Sequence, residues 1–169
     1  DHGQERRYHS VRLGLNGRMD TMQAVVLSAK MNIFDDELQK RQEVAAEYNT
    51  NLAALDNEGV LVLPRVESYN TSSWAQYTLR VANRNDLQTA MKTRGIPTAI
   101  HYPLPLFAQP ALPNNNNNCP ECMRAAQEVI SLPIHPYLGS KDQKRVVAAL
   151  IDSLSGKEAN INQPTVVGK

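Results

Sequence analysis

Apolar residues recur at helical spacing in two consecutive stripes. The first is Met19, Met22, Val26, Ala29 and Ile33, and the second is Leu38, Val44, Ala45, Tyr48, Leu52 and Leu55. That period predicts a long helix or a helix pair with a half-buried stripe. Asp20 and Thr21 are candidate N-terminal caps, and "FDDEL" reads as a second start where the helix bends or restarts. In "DDELQKRQE" carboxylates come early and cations later, which suits the helix dipole.

Beyond the stripes the period shortens. "GVLVLP" reads as a short strand stopped by Pro64. "WAQYTLRV" alternates, with Ala75, Tyr77, Leu79 and Val81 on one side and Trp74, Gln76, Thr78 and Arg80 on the other. "NRNDLQTAMKTRG" is a capped helix ending at Gly95, where glycine takes the left-handed turn. "IPTAIHYP" is a short strand or extended segment, "ECMRAAQEVISLP" a helix stopped before Pro133, and "SKDQKRVVAALIDSL" an amphipathic helix capped by Ser140. From Lys157 onward the polar sequence predicts a loose tail. Helices followed by strands separated by helices, with no internal repeat, imply an α+β layer with a small, mainly antiparallel sheet covered on one face.

Composition narrows the function classes. At 169 residues, 41% hydrophobic and 21% charged, the chain has room for about one domain. Its net charge of +1 predicts no general attraction to nucleic acid or acidic membranes. No apolar run approaches the roughly 20 residues of a membrane span, nor does the N-terminus carry the apolar core of a signal peptide; the expected location is the cytoplasm. The start, Asp1-His2-Gly3, is not an initiator sequence, so we expect a piece of a longer protein. Cys119 and Cys122 form one C-x-x-C after the run "PNNNNNCP". One pair is half a zinc set. The two read as incidental loop cysteines, with a helix cap or a metal gathered between copies as alternatives. The asparagine run marks a mobile loop.

Three polar clusters could carry chemistry. In "GLNGRMD", Asn16 and Arg18 flank Gly17 and follow Gly14. An amide N–H and a guanidinium can grip phosphate or carboxylate, and glycines admit close backbone approach. Spacing alone favours the plainer alternative, a glycine-rich turn with Asn16 holding its own backbone and Arg18 solvated. In "IHYPLPLF", His101 and Tyr102 precede stiffening prolines and make either a shelf for a nucleotide or a sugar or a strand end with a buried tyrosine. His135, between Pro133 and Pro136, reads as a turn. No Ser, Cys or Lys sits in a recognisable activating setting, and no Gly-rich phosphate loop is present.

"HGQERRYHSVRLGLNGRMDTMQAVVLSAKM", "AIHYPLPLFAQPAL" and "SLPIHPYL", in that order, resemble the C-terminal part of the nucleotide-sugar aminotransferases of the DegT/StrS type. The resemblance runs from Asp1 to about Leu154 and is nearest to the enzymes that aminate a UDP-linked 3-keto-N-acetylglucosaminuronic acid for surface polysaccharide. It implies the C-terminal small domain of the aspartate-aminotransferase-like fold: an interface loop at 1–17, a small domain at 18–156 that includes the long helix, and a large domain upstream. It also implies a homodimer with shared active sites, pyridoxal 5'-phosphate as cofactor, and glutamate as amino donor. Asn16 would reach the cofactor phosphate across the dimer. Arg18, His101 and Tyr102 would contact the sugar nucleotide. The lysine motif that carries the cofactor is absent, so the chain alone is expected to be inactive. A non-catalytic binding or assembly module of the same fold, and a metal or redox protein built on the cysteines, are the competing readings.

Overall fold

The computed structural model describes residues 3–6, 9–110 and 119–156. The expected tail and the asparagine run lie outside the described residues. The chain divides into two units, Asp1–Glu37 and Leu38–Lys169, which are described in turn.

In the first unit, β1 (Gln4–Arg6) and β2 (His9–Ser10) pair antiparallel. Gly3 has a φ of +72°, and a Cβ there would come within 1.8 Å of the Arg12 carbonyl oxygen, so only glycine fits. An irregular segment then leads to α1 (Thr21–Met31). Asp20 starts this helix, its Oδ1 accepting from the backbone N–H groups of Met22 at 2.9 Å and Gln23 at 3.2 Å. The expected half-buried stripe is not realised within the unit, since no residue of α1 is buried. Met22, Val25, Val26, Leu27 and Met31 are all exposed, so the helix is apolar around most of its circumference, a pattern that ordinarily belongs to a covered helix.

A helix restarts where "FDDEL" predicts, as α2 (Phe34–Asn57), with Asp35, Asp36 and Glu37 in its first turn at the end of the first unit and the remainder in the second. Val44, Ala45, Tyr48 and Leu52 are its buried positions, the centre of the predicted stripe. They join a core with β3 (Tyr77–Arg80), α3 (Arg84–Thr93), β4 (Val129–Leu132) and α5 (Ser140–Leu154). α3 ends as expected at Gly95, φ +71°, whose N–H donates to the Lys92 carbonyl while Ile96 donates to that of Met91.

β3 and β4 pair antiparallel with Tyr77 opposite Leu132, Thr78 opposite Ser131, and Leu79 opposite Ile130. Single bridges widen this pair on both sides, Val62 to Arg80 and Ala99 to Ser131. The lateral order is therefore the Val62 segment, β3, β4 and the Ala99 segment. The "GVLVLP" and "IPTAIHYP" strands contract to these bridges. The architecture is α+β with a small antiparallel sheet, as the sequence predicts.

Three local expectations are corrected. The helix α4 (Pro120–Glu128) stops five residues before Pro133, because Val129–Leu132 is strand. β-Branched Val129 and Ile130 suit the ladder, and Ile130, Ser131 and Leu132 are all buried there. Trp74, placed by alternation on the polar side, is buried instead. Its φ of 47° breaks the alternation before β3 begins, and its indole N–H donates to Gln42 at 2.8 Å. α5 has Gly139 at its cap position, and Ser140 is its first helical residue, donating to Glu47.

The two cysteines are paired. Cys119 and Cys122 are joined as a disulfide, with Cys119 at the cap of α4 and Cys122 in its first turn. Among the described residues no helix is long and apolar enough to cross a membrane.

Candidate functional site

The pairing of β3 with β4 sorts side chains by face. Tyr77, Leu79, Ile130 and Leu132 enter the core. Thr78 and Ser131, directly opposed, fall on the other face, where their hydroxyl oxygens lie 2.8 Å apart. The Ala99–Ser131 bridge then sets the third member. A strand alternates with period two, so His101, two residues past Ala99, returns to the face that carries Ser131. Its Nδ1 lies 3.3 Å from the Ser131 Oγ. Thr78, Ser131 and His101 thus form one hydrogen-bonded row across three neighbouring segments.

Two of the three, Ser131 and His101, line a concavity of about 260 Å³ together with Ala75, Gln76, Thr98 and Ile134, among others. His101 is half-buried, and a cis peptide joins it to Tyr102. The Tyr102 ring meets the imidazole edge-on at 5.6 Å between centroids. Tyr102 is 71% exposed and does not line the concavity. Of the predicted site residues, the fold therefore brings His101 and Tyr102 together, with only His101 on the concave surface. Ser131 and Thr78 carry no warning in the sequence: Ser131 sits inside the apolar run "VISLP", and only the strand register reveals its partners.

Asn16 and Arg18 belong to the first unit and lie exposed on the segment before α1. A second concavity in that unit, of about 280 Å³, is lined by Gly3, Gln4, Arg12, Leu13, Gly14 and Leu15. Neither Asn16 nor Arg18 lines it. Among the described residues, a Cβ added at Gly17, between them, would meet nothing within 4 Å.

The remaining polar features are structural. His135 accepts at Nδ1 from the Tyr137 backbone N–H, 3.2 Å away, in the turn that its flanking prolines predict. Tyr48 and Tyr77 stack at 4.8 Å, and burial raises both phenols well above their ordinary value. Glu47 adds to this for Tyr48, and Tyr48 and Asp56 add to it for Tyr77. Arg80 grips Glu128 through Nε at 3.0 Å and Nη2 at 2.7 Å, clasping β3 to the end of α4.

Comparison with known proteins adds what geometry cannot. A model of the DegT/DnrJ/EryC1/StrS aminotransferase family matches residues 1–151. The UDP-2-acetamido-2-deoxy-3-oxo-D-glucuronate aminotransferase of Pseudomonas aeruginosa is 46% identical over 149 residues, covering 88% of this chain and 40% of that protein. Among solved structures, a DegT/DnrJ/EryC1/StrS aminotransferase from Brucella abortus superposes with a TM-score of 0.80 at 34% identity, over 89% of this chain and 40% of that one. DesV of S. venezuelae, solved with a ketimine intermediate, gives 0.83 at 31% identity, over 91% and 42%. The chain thus spans about two-fifths of the length of the relatives it matches.

Proposed function

Because the chain belongs to the DegT/DnrJ/EryC1/StrS aminotransferase family, we propose that it forms the C-terminal part of an enzyme that moves an amino group from L-glutamate to a nucleotide-linked keto sugar, in the supply of surface-polysaccharide precursors. The observation that carries this reading is the 46% identity to a protein named for a UDP-linked 3-oxo uronic acid. The substrate in this reading is a UDP-linked 3-keto-N-acetylglucosaminuronic acid. Residues 1–17 serve as an interface loop and 18–156 as the small domain, while the large domain lies in the rest of the protein.

Asn16 and Arg18 suit an anion by their chemistry: an amide N–H donor and a planar guanidinium, both exposed on the irregular segment before α1. Pyridoxal phosphate, when bound, supplies the electron sink for amino transfer. Asn16 holds its phosphate across a homodimer interface, and Arg18 binds the uronate carboxylate. His101 and Tyr102 line the sugar nucleotide. The lysine that carries the cofactor is proposed to lie in the large domain. Lys30, Lys92, Lys141 and Lys144 are exposed, and Lys40 sits over the Tyr137 ring, so no described lysine occupies the buried setting that activates an amine. On this account the chain alone does not transaminate.

The test is amino transfer from glutamate by the full-length enzyme, with uronic and neutral UDP-3-keto sugars compared. Arg18→Ala is expected to raise KM for the uronic substrate about tenfold or more and to affect the neutral one far less. Equal weakening of both removes the carboxylate role. No amino transfer at all leaves the binding-module reading in its place.

A further inference from the structure

We infer that Ser131 is a positioning residue for His101: its hydroxyl donates to Nδ1 and holds the imidazole in the tautomer that carries its proton on Nε2, ready to donate to an anionic oxygen of the sugar nucleotide. The inference rests on the reading of His101 as a substrate contact and extends it to a residue that nothing else marks.

The direction of the row follows from counting hydrogens. Ser131 Oγ stands between Thr78 Oγ1 at 2.8 Å and His101 Nδ1 at 3.3 Å. A neutral imidazole has one N–H and one acceptor nitrogen, and each hydroxyl has one hydrogen. If Thr78 donates to Ser131 and Ser131 to Nδ1, every hydroxyl hydrogen has an acceptor. The reverse direction puts the proton on Nδ1 and aims Ser131 at Thr78, whose half-buried hydroxyl would then have to donate to solvent instead of to a protein partner. Ser131 is buried, so its hydroxyl depends on protein partners to be satisfied. The backbone pins it too: Ser131 and Ala99 exchange N–H to carbonyl bonds at 2.8 and 3.2 Å.

The consequence is chemical. With Nδ1 occupied as an acceptor, the second ring nitrogen is a donor. An N–H can meet a phosphate or carboxylate oxygen, whereas a bare nitrogen lone pair would repel it. Such control of one imidazole nitrogen by the bond made at the other is a general way to set histidine's role.

The tautomer is read from long-range 15N–1H spectra of the full chain, at a pH where imidazoles are neutral. The expected wild-type His101 has an unprotonated Nδ1 and a protonated Nε2. In Ser131→Ala, and in the double variant Thr78→Val/Ser131→Ala that leaves no hydroxyl orphaned, the two nitrogens should shift toward a common average. In the full-length enzyme both variants should raise KM for the sugar nucleotide about fivefold with kcat little changed. A protonated Nδ1 in the wild type, or unchanged spectra in both variants, overturns the inference.

Binding of UDP and of UDP-linked N-acetylglucosaminuronic acid, followed at Nε2 in the full-length enzyme, separates it from the reading beneath. A response to UDP places the donor at the diphosphate, and a response only to the uronic acid nucleotide places it at the carboxylate. Response to neither overturns the substrate contact, even where the tautomer is as expected.

Discussion

Tyr48 donates its hydroxyl proton to the carbonyl of Pro133 across 2.9 Å, tying the middle of α2 to the residue that follows β4. The bond joins positions 85 residues apart in sequence and holds the end of the strand that carries Ser131. Tyr48 is completely buried, so its polar end is satisfied inside the protein.

Removing that hydroxyl while keeping the ring is the clean test of its worth. Tyr48→Phe is expected to cost about 1–2 kcal/mol of stability, through the lost bond and the Pro133 carbonyl left with poorer pairing. Urea unfolding should show a lower midpoint at an unchanged slope. An unchanged midpoint would mean that the bond contributes nothing.

The buried phenols set an alkaline limit. Tyr48 and Tyr77 both titrate well above their ordinary value, chiefly through burial. Unfolded tyrosine loses its proton near 10, so above that pH the unfolded state holds fewer protons than the folded one. Stability is fully present below about pH 10 and falls as pH rises beyond it, by at most about 1.4 kcal/mol per pH unit for each tyrosine. Urea midpoints from pH 9 to 11 should decline, and less steeply in Tyr48→Phe. A flat profile would contradict the shared burial of the two rings.

Gly17→Ala should separate folding from function. A Cβ there meets nothing within 4 Å among the described residues, so the chain's stability should change by no more than about 0.5 kcal/mol. If residues 1–17 form the proposed interface loop, the full-length enzyme should bind pyridoxal phosphate more weakly, because a methyl group there would crowd the facing subunit. Equal cofactor affinity in the variant would show that no close approach occurs at this position.

Much of this was legible beforehand, and the failures have physical causes. The stripe Val44, Tyr48, Leu52 and the turn at Gly95 could be read because burial and handedness act locally. The end of α4 could not, because Val129–Leu132 becomes strand only by pairing with Tyr77–Arg80, about 50 positions earlier in the chain. Trp74 defeated the alternation through one backbone angle. His101 and Tyr102 were chosen for their chemistry, yet the row that orients His101 comes from the register of β3 with β4. The exposed stripe of α1 was predicted as half-buried because periodicity reports that a face wants cover, not what covers it.

That stripe gives a prediction of its own. Met22 and Val26 are 79% and 56% exposed, and an uncovered apolar helix promotes self-association. Replacing both, as Met22→Glu with Val26→Lys, should lower the sedimentation-average mass of the chain at a given concentration. The same mass in both proteins would mean that α1 is not the adhesive face.

Reductive trapping tests the central claim most directly. The full-length protein and this chain are each mixed with pyridoxal phosphate, treated with borohydride, digested and read by peptide mass spectrometry. The account predicts a pyridoxyl-lysine in the full-length protein before the segment that begins at Asp1, and none within this chain. A specific pyridoxyl-lysine inside residues 1–169, accompanied by amino transfer from glutamate, would contradict it.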